Sequence, residues 1–234
     1  VDRLTRHDLK SDKFVQEFAH SVEFFDRYRS QFIRYGAVAL ILIVGGIGLF
    51  YFMQSRKQAR YSELSAAMLV YNSAVGPDVG NRMRSYPTEE ARQQALKKAL
   101  GGFIEKHSGS EEAGIANYLL GVNAADQGDL AAARRHLNEA IKDGGKNYGS
   151  LAKLALAGIA GTEGKTAEAE QTLRDLIANP TVLVGKDQAT IALAQVLAAS
   201  KPDEARKLLE PLRSESGAAS RTALTLLAEL NKGK

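Results

Sequence analysis

Residues 35–53, YGAVALILIVGGIGLFYFM, hold 19 positions without one charged side chain. At about 1.5 Å per residue such a run is roughly 28 Å long as a helix, close to the hydrocarbon thickness of a bilayer. Phe32 and Tyr35 stand at its start and Phe50, Tyr51 and Phe52 at its end, the aromatic placement of two membrane–water interfaces. A helix buried in a soluble core normally keeps one polar stripe, and this run has none. A cleavable leader is not expected either: 34 residues precede the run, and Phe50-Tyr51-Phe52 is no small-residue cleavage site. The segment is predicted to be a single transmembrane helix. Its near flanks tie, with Arg27, Arg29 and Arg34 before it and Arg56, Lys57 and Arg60 after it. Arg3, Arg6, Lys10 and Lys13 add to the first side, which predicts a cytoplasmic N-terminus and a C-terminal part across the membrane. In a bacterium this is the inner (cytoplasmic) membrane, with the C-terminal part in the periplasm.

Two features around the span point to contacts. Residues 11–33 read as an amphipathic helix, with Phe14, Phe18, Val22, Phe25 and Phe32 at helical spacing and Lys13, Glu17, Glu23, Asp26 and Arg27 on the other face. An aromatic stripe of this kind lies in the membrane interface or docks on a partner subunit. Within the span, Gly45, Gly46 and Gly48 cluster near Ala39 and would let a neighbouring helix approach, although no GxxxG spacing is present.

The rest of the chain differs in kind. From residue 58 onward, 22 Lys and Arg face 21 Asp and Glu, so no basic stripe argues for nucleic acid. Ala and Leu recur, both of which lose little side-chain entropy in a helix. Helix is expected to continue to about Asn72, followed by the Gly- and Pro-rich loop SAVGPDVGNRMRSYP. Thr88 then caps a helix that carries Glu89 and Glu90 in its first turn and runs to about Lys106.

Beyond it the pattern repeats. AGIANYLLGVNAADQGDLAAARRHLNEAIKD fits the tetratricopeptide pattern: Leu120-Gly121 in the first helix, a turn at Gly128-Asp129, then Ala133, Leu137 and Ala140 in the second. LAKLALAGIAGTEGKTAEAEQTLRDLIANP turns at Gly164-Lys165 and repeats Ala169 and Leu173. DQATIALAQVLAASKPDEARKLLEPL turns at Lys201-Pro202 and repeats Ala205 and Leu209. Ala133, Ala169 and Ala205 step by a constant 36 residues. Small residues at these points let antiparallel helices close on each other, and one hairpin needs stacked neighbours to bury its apolar face. A degenerate earlier unit joins the helix after the span to the Thr88 helix, with Ala99 and Phe103 as markers. The helix over 218–230 would be a terminal cap. The predicted class is all-α: an N-terminal amphipathic segment (1–34), a transmembrane helix (35–53), a helical linker and loop (54–87) and a tetratricopeptide-like α-solenoid (88–234).

Chemistry is not legible in this chain. There is no cysteine, and His7, His20, His107 and His136 form no metal-ligand spacing. His136, beside Arg134 and Arg135, reads as a solvated side chain. No P-loop, GxGxxG or GxSxG is present. The pairs Glu89-Glu90, Glu111-Glu112 and Asp203-Glu204 sit at predicted helix starts, where the helix dipole explains them. No catalytic residue, cofactor or metal is expected. In a solenoid of this pattern the first helix of each unit lines the inner groove, which here places Tyr118, Val122, Leu154, Gly158, Ile191 and Gln195. That groove is expected to be apolar and shallow. It suits an apolar segment or a partner's helix, or else these residues pack on the chain's own first or last helix.

The whole arrangement, with KSDKFVQEF and FFDRYR before a span that begins FIRYG, then a helical linker and degenerate repeats, resembles a bacterial family of single-span tetratricopeptide proteins. That family includes the ancillary subunit of the Sec translocon. The resemblance implies a periplasmic repeat domain that helps hand translocated chains to periplasmic chaperones. The expected partners are therefore the lipid bilayer and other membrane-protein subunits, with the Sec translocon or periplasmic chaperones among the candidates, and no nucleic acid. Two functions remain open on this reading: an adaptor beside a translocon, and an accessory structural subunit of a large respiratory or photosynthetic membrane complex.

Overall fold

The computed structural model of the chain describes residues 13–76, 85–214 and 217–232, with side chains from residue 33 onward. It forms two compact units, Val1–Gln58 and Ala59–Lys234. Its architecture is all-α, with a single pair of two-residue strands among the described residues.

The described part of the first unit belongs to helix α1, Lys13–Tyr71. The amphipathic leader and the uncharged run are thus one continuous helix. Every residue from 33 to 56 is exposed, including Leu42 at 70% and Phe50 at 66%. By length and composition this is the one helix among the described residues able to cross a membrane. At the end of the run the Arg56 guanidinium stands 5.1 Å from the centre of the Phe52 ring, a cation–π pairing of an apolar body with a polar tip.

The second unit starts with the last turns of α1 and continues through α2 (Glu89–Lys106), α3 (Glu111–Asp126), α4 (Leu130–Asp143), α5 (Gly145–Thr162), α6 (Thr166–Ala178), α7 (Lys186–Leu197), α8 (Pro202–Leu209) and α9 (Ala218–Lys232). A short 3-10 segment, Pro211–Ser214, precedes α9. Thr88 caps α2 by accepting from the Ala91 amide at 3.2 Å, and Ser110 caps α3 in the same way through Ala113. Consecutive helices from α2 to α9 pack on each other. The odd-numbered helices also touch in sequence, α3 on α5, α5 on α7 and α7 on α9, which is the layer order of a solenoid.

The alanine step organises the core. Ala133, Ala169 and Ala205 have no exposed surface, and Leu137, Leu173 and Leu209, one turn later, are equally buried. Gly121 works with them: a Cβ there would meet Leu137 Cγ at 2.7 Å, so the glycine lets α3 and α4 close. The turns before α4 and α6 depend on Gly128 (φ +77°) and Gly164 (φ +76°), in the left-handed region that a side chain disfavours. Bonds from the Asp129 amide to Ala124 O (2.9 Å) and from the Lys165 amide to Ala160 O (2.8 Å) close both turns. The third turn has no glycine; Pro202 opens α8, where its missing N–H leaves no bond unmade.

Of the two residues expected to mark an earlier unit, Phe103 is buried and Ala99 is only partly so. Leu96, Leu100 and Phe103 share one core cluster with Leu64, Ala67 and Val70 of α1 and Ile115, Ala116 and Leu120 of α3. The loop after α1 also carries more structure than its composition suggests. Strands β1 (Ala74–Val75) and β2 (Ser85–Tyr86) pair in parallel, with the Gly76 amide donating to Tyr86 O at 2.9 Å. Residues 77–84 between them lie outside the described residues.

Candidate polypeptide-binding groove

The packing of α5, α7 and α9 leaves a groove of about 810 Å³. Leu154 and Gly158 of α5 form one wall, Ile191 and Gln195 of α7 the other, and Ala218 and Thr222 of α9 close one side. Leu173 of α6 lies at its base. These positions recur at three, four and seven residues, so the groove is built from one stripe of each helix.

Four of the six residues expected to line an inner groove therefore meet here: Leu154, Gly158, Ile191 and Gln195. Tyr118 and Val122 of α3 do not. The Tyr118 ring packs edge-on against Tyr148 with 5.7 Å between centres, and Tyr118 and Val122 pack on the core that holds Ala124, Ala133 and Leu137. Burial, helped by Tyr148 and Tyr71, raises the Tyr118 pKa above the ordinary phenol value, so it stays neutral.

None of the residues lining the groove is charged, in a chain where a quarter of all residues are. The ion pairs lie elsewhere. Arg134 meets Glu163 at 2.6 Å, Lys201 meets Glu170 at 2.9 Å and Arg174 meets Glu204 at 2.6 Å. The polar groups within the groove fall into two sets. Thr162 and Thr222 hydroxyls donate to carbonyls of their own helices, Ile159 O at 2.8 Å and Ala218 O at 3.1 Å. Gln188 and Gln195 are exposed, and among the described residues neither amide bonds to another group of the chain.

Two glycines of α5 face this region with different roles. A Cβ at Gly161 would come within 3.0 Å of Val196 Cγ2, so that glycine lets α7 approach α5. A Cβ at Gly158 would meet nothing within 4 Å. The packing of this chain leaves Gly158 unexplained, although a glycine inside a helix costs about 1 kcal/mol relative to alanine.

The candidate contacts of α1 are placed less fully. A Cβ at Gly45, Gly46 or Gly48 would meet nothing, so this stretch is open toward any neighbour. Phe14, Phe18, Val22, Phe25 and Phe32 belong to α1, but their side chains lie outside the described residues.

Two polar residues take roles that local sequence did not suggest. Glu112, read as a helix-start carboxylate, is fully buried and pairs with Arg60 Nε at 2.8 Å. His136, read as solvated, is half-buried and its Nδ1 stands 2.9 Å from Asn117 Oδ1. Burial lowers its pKa below the usual imidazole value, and the neighbouring Arg135 lowers it further. The signal for both was the residue type on an otherwise apolar helix: Asn117 and Glu112 lie in a stretch of α3 where every residue from 112 to 117 is buried. Among the described residues no group of His, Asp and Glu could hold a metal ion.

Residues 141–224 match the family model described as a tetratricopeptide repeat-like domain. The match runs from the end of α4 into α9 and contains the whole lining of the groove. No curated protein and no solved structure matches the chain. The repeat-like domain is a protein–protein interaction module, of a type that typically carries no catalysis and binds through extended surfaces of stacked helices.

Proposed function

We propose that this chain is a non-catalytic, membrane-anchored interaction scaffold. The uncharged run of α1 crosses the bilayer, and the repeat-like domain holds a polypeptide partner in the groove of α5, α7 and α9. The observation that carries this reading is the absence of any charged residue among those lining an 810 Å³ groove. Charged surface is the norm on this chain, so an uncharged trough of this size fits a site that is covered in use. The resemblance to single-span tetratricopeptide proteins supports a place beside a protein-translocating channel on the periplasmic side, with hand-off to a chaperone.

The test is a photo-reactive amino acid at position 191, in the full chain in native membranes. A discrete crosslinked polypeptide is the expected product, and it should vanish when Gly158→Leu fills the groove. Labelling no different from that at exposed Arg221 would refute the reading. The anchor has its own test: the protein should stay in the pellet after alkaline carbonate washing, and a reporter after Lys234 should be active in the periplasm.

A second reading, an accessory structural subunit of a large membrane complex, draws on the exposed apolar run and its open Gly45, Gly46 and Gly48. A neighbouring helix could approach there as readily as lipid. Native gel electrophoresis followed by mass spectrometry separates the two: a subunit migrates with its complex at fixed stoichiometry, an adaptor does not.

A further inference from the structure

We infer that a second pocket, walled by α2, α3 and α4, binds a free α-amino acid as its zwitterion, with the carboxylate at Asn117 and Arg135 and the ammonium at Glu139 and Asp143. The pocket is about 560 Å³ and shares no lining residue with the groove of α5, α7 and α9, so the inference stands apart from the proposed function.

The direction of two hydrogen bonds sets the first condition. Arg135 Nη2 stands 3.4 Å from His136 Nε2, and His136 Nδ1 stands 2.9 Å from Asn117 Oδ1. A guanidinium has no lone pair to offer, so Nε2 is the acceptor of the first contact. The ring, kept neutral by burial and then by Arg135, carries its one proton on Nδ1 and donates it to Asn117. That fixes the Asn117 amide, with its oxygen toward His136 and its nitrogen turned away. Asn117 is only 5% exposed, and among the described residues its Nδ2 meets no acceptor. A buried donor left unspent is costly. Asn117 lines the pocket, so its N–H bonds are offered to whatever fills it. The occupant presents an oxygen there.

Charge sets the second. The lining holds Arg135 and Lys142 against Glu139 and Asp143. Lys142 and Glu139 pair loosely at 3.6 Å with both side chains largely exposed. Arg135 and Asp143 form no ion pair among the described residues. An occupant of one sign meets a repelling group whichever way it lies, and one that carries both signs is matched at both ends. Glu139 follows Arg135 by one turn of α4, about 6 Å along the axis and on the same face, an interval that the two charged groups of one amino acid can bridge with these side chains.

The walls set the third. Ile104 of α2 and Ala113 of α3 give the pocket an apolar side, which suits an aliphatic side chain. Its volume lies within the range of about 300–1,000 Å³ usual for small-molecule sites.

The test is isothermal titration calorimetry on the full chain in nanodiscs with leucine, leucinamide and N-acetyl-leucine. Leucinamide lacks the carboxylate and N-acetyl-leucine lacks the ammonium. Leucine should bind about tenfold or more tighter than either. Asn117→Asp keeps an oxygen for His136 and removes the N–H donor, so it should weaken leucine about tenfold or more with far-UV circular dichroism unchanged. E139Q/D143N removes the anions and should bind N-acetyl-leucine about tenfold tighter than the parent does, a gain that misfolding cannot produce. If N117D loses its helical signal, E139Q/D143N decides alone. No binding of leucine, equal binding of leucinamide or N-acetyl-leucine, undiminished binding in folded N117D, or no gain in E139Q/D143N would each overturn the inference.

Discussion

Arg60 Nε lies 2.8 Å from Glu112 Oε2, and the carboxylate end of that pair is fully enclosed while the guanidinium end is 28% exposed. The bond spans 52 residues and ties the last turns of α1 to the first turn of α3. A charge removed from water in this way is tolerated only with its partner in place. Arg60→Met should cost about 3 kcal/mol, because a buried carboxylate loses the charged hydrogen bond from Arg60. The double variant R60M/E112L, which replaces the pair by apolar side chains, should recover most of that loss. Urea unfolding followed by far-UV circular dichroism measures both, and a single variant as stable as the parent would show that the pair holds nothing.

Glycines in adjacent repeats should respond in opposite directions to the same substitution. A Cβ at Gly114 would overlap the backbone of Gly144, where α4 gives way to α5. Gly114→Ala forces backbone apart from backbone and should destabilise by about 3 kcal/mol. Gly158→Ala meets nothing and should stabilise by up to about 1 kcal/mol through helix propensity. Thermal unfolding of the two variants side by side decides the matter; equal shifts would contradict the close approach at Gly114.

Acid should weaken the repeat domain in a defined window. Hydrogen bonds from Lys165 and then Arg134 lower the Glu163 pKa, those from Lys201 and then Arg174 lower that of Glu170, and Lys153 lowers that of Asp175. A carboxylate whose folded pKa is lowered stabilises fully above its unfolded value, 4.5 for glutamate, and loses this as pH falls through the lowered one. Lys201 is shifted up by Glu170, so its contribution is complete below 10.5 and is lost only at higher pH. The contribution of these pairs should be level between these limits and fall below pH about 4.5, with 1 M salt shrinking the drop because the pairs are exposed. A melting temperature unchanged down to pH 3 would count against the network.

His136 provides a site-specific readout. Its pKa is lowered by burial first and by Arg135 second, so the folded state favours the neutral ring. The sign is opposite to that of a histidine with an acidic partner: stability is complete above the unfolded value near 6.5 and is lost as pH falls toward the lowered value. NMR titration of the ring protons should give a midpoint below 6.5. Arg135→Gln should raise it only part of the way, since burial remains. A midpoint at or above 6.5 in the parent protein would mean that the ring is solvated.

The features legible in the sequence were those written in local spacing. Thr88 caps its helix because a hydroxyl three residues before an amide can reach it, and the turns at Gly128 and Gly164 follow from one residue type that tolerates positive φ. The 36-residue alanine step located the seams, since close helix packing needs a small side chain once per hairpin. Leu154, Gly158, Ile191 and Gln195 came together because the same repeat phase places them on one layer of helices. What local spacing could not show was pairing across distance. Glu112 reads like any acidic residue in a first helical turn, and its pairing with Arg60 from a remote helix is invisible to local spacing. Tyr118 kept its phase but was taken up by Tyr148, whose reach is a matter of side-chain length. The core that Leu96, Leu100 and Phe103 form with Leu64, Ala67 and Val70 joins two helices more than twenty residues apart, which no local pattern announces.

The apparent seam between Asn72 and Thr88 is a poor place to cut this chain. Leu64, Ala67 and Val70 cover Leu96, Leu100 and Phe103, so a fragment begun at the Thr88 cap would present a bare apolar flank and tend to aggregate. Anyone preparing a water-soluble form for crystallisation or binding work should begin at Ala59, retaining the final turns of α1 as the end plate of the stack.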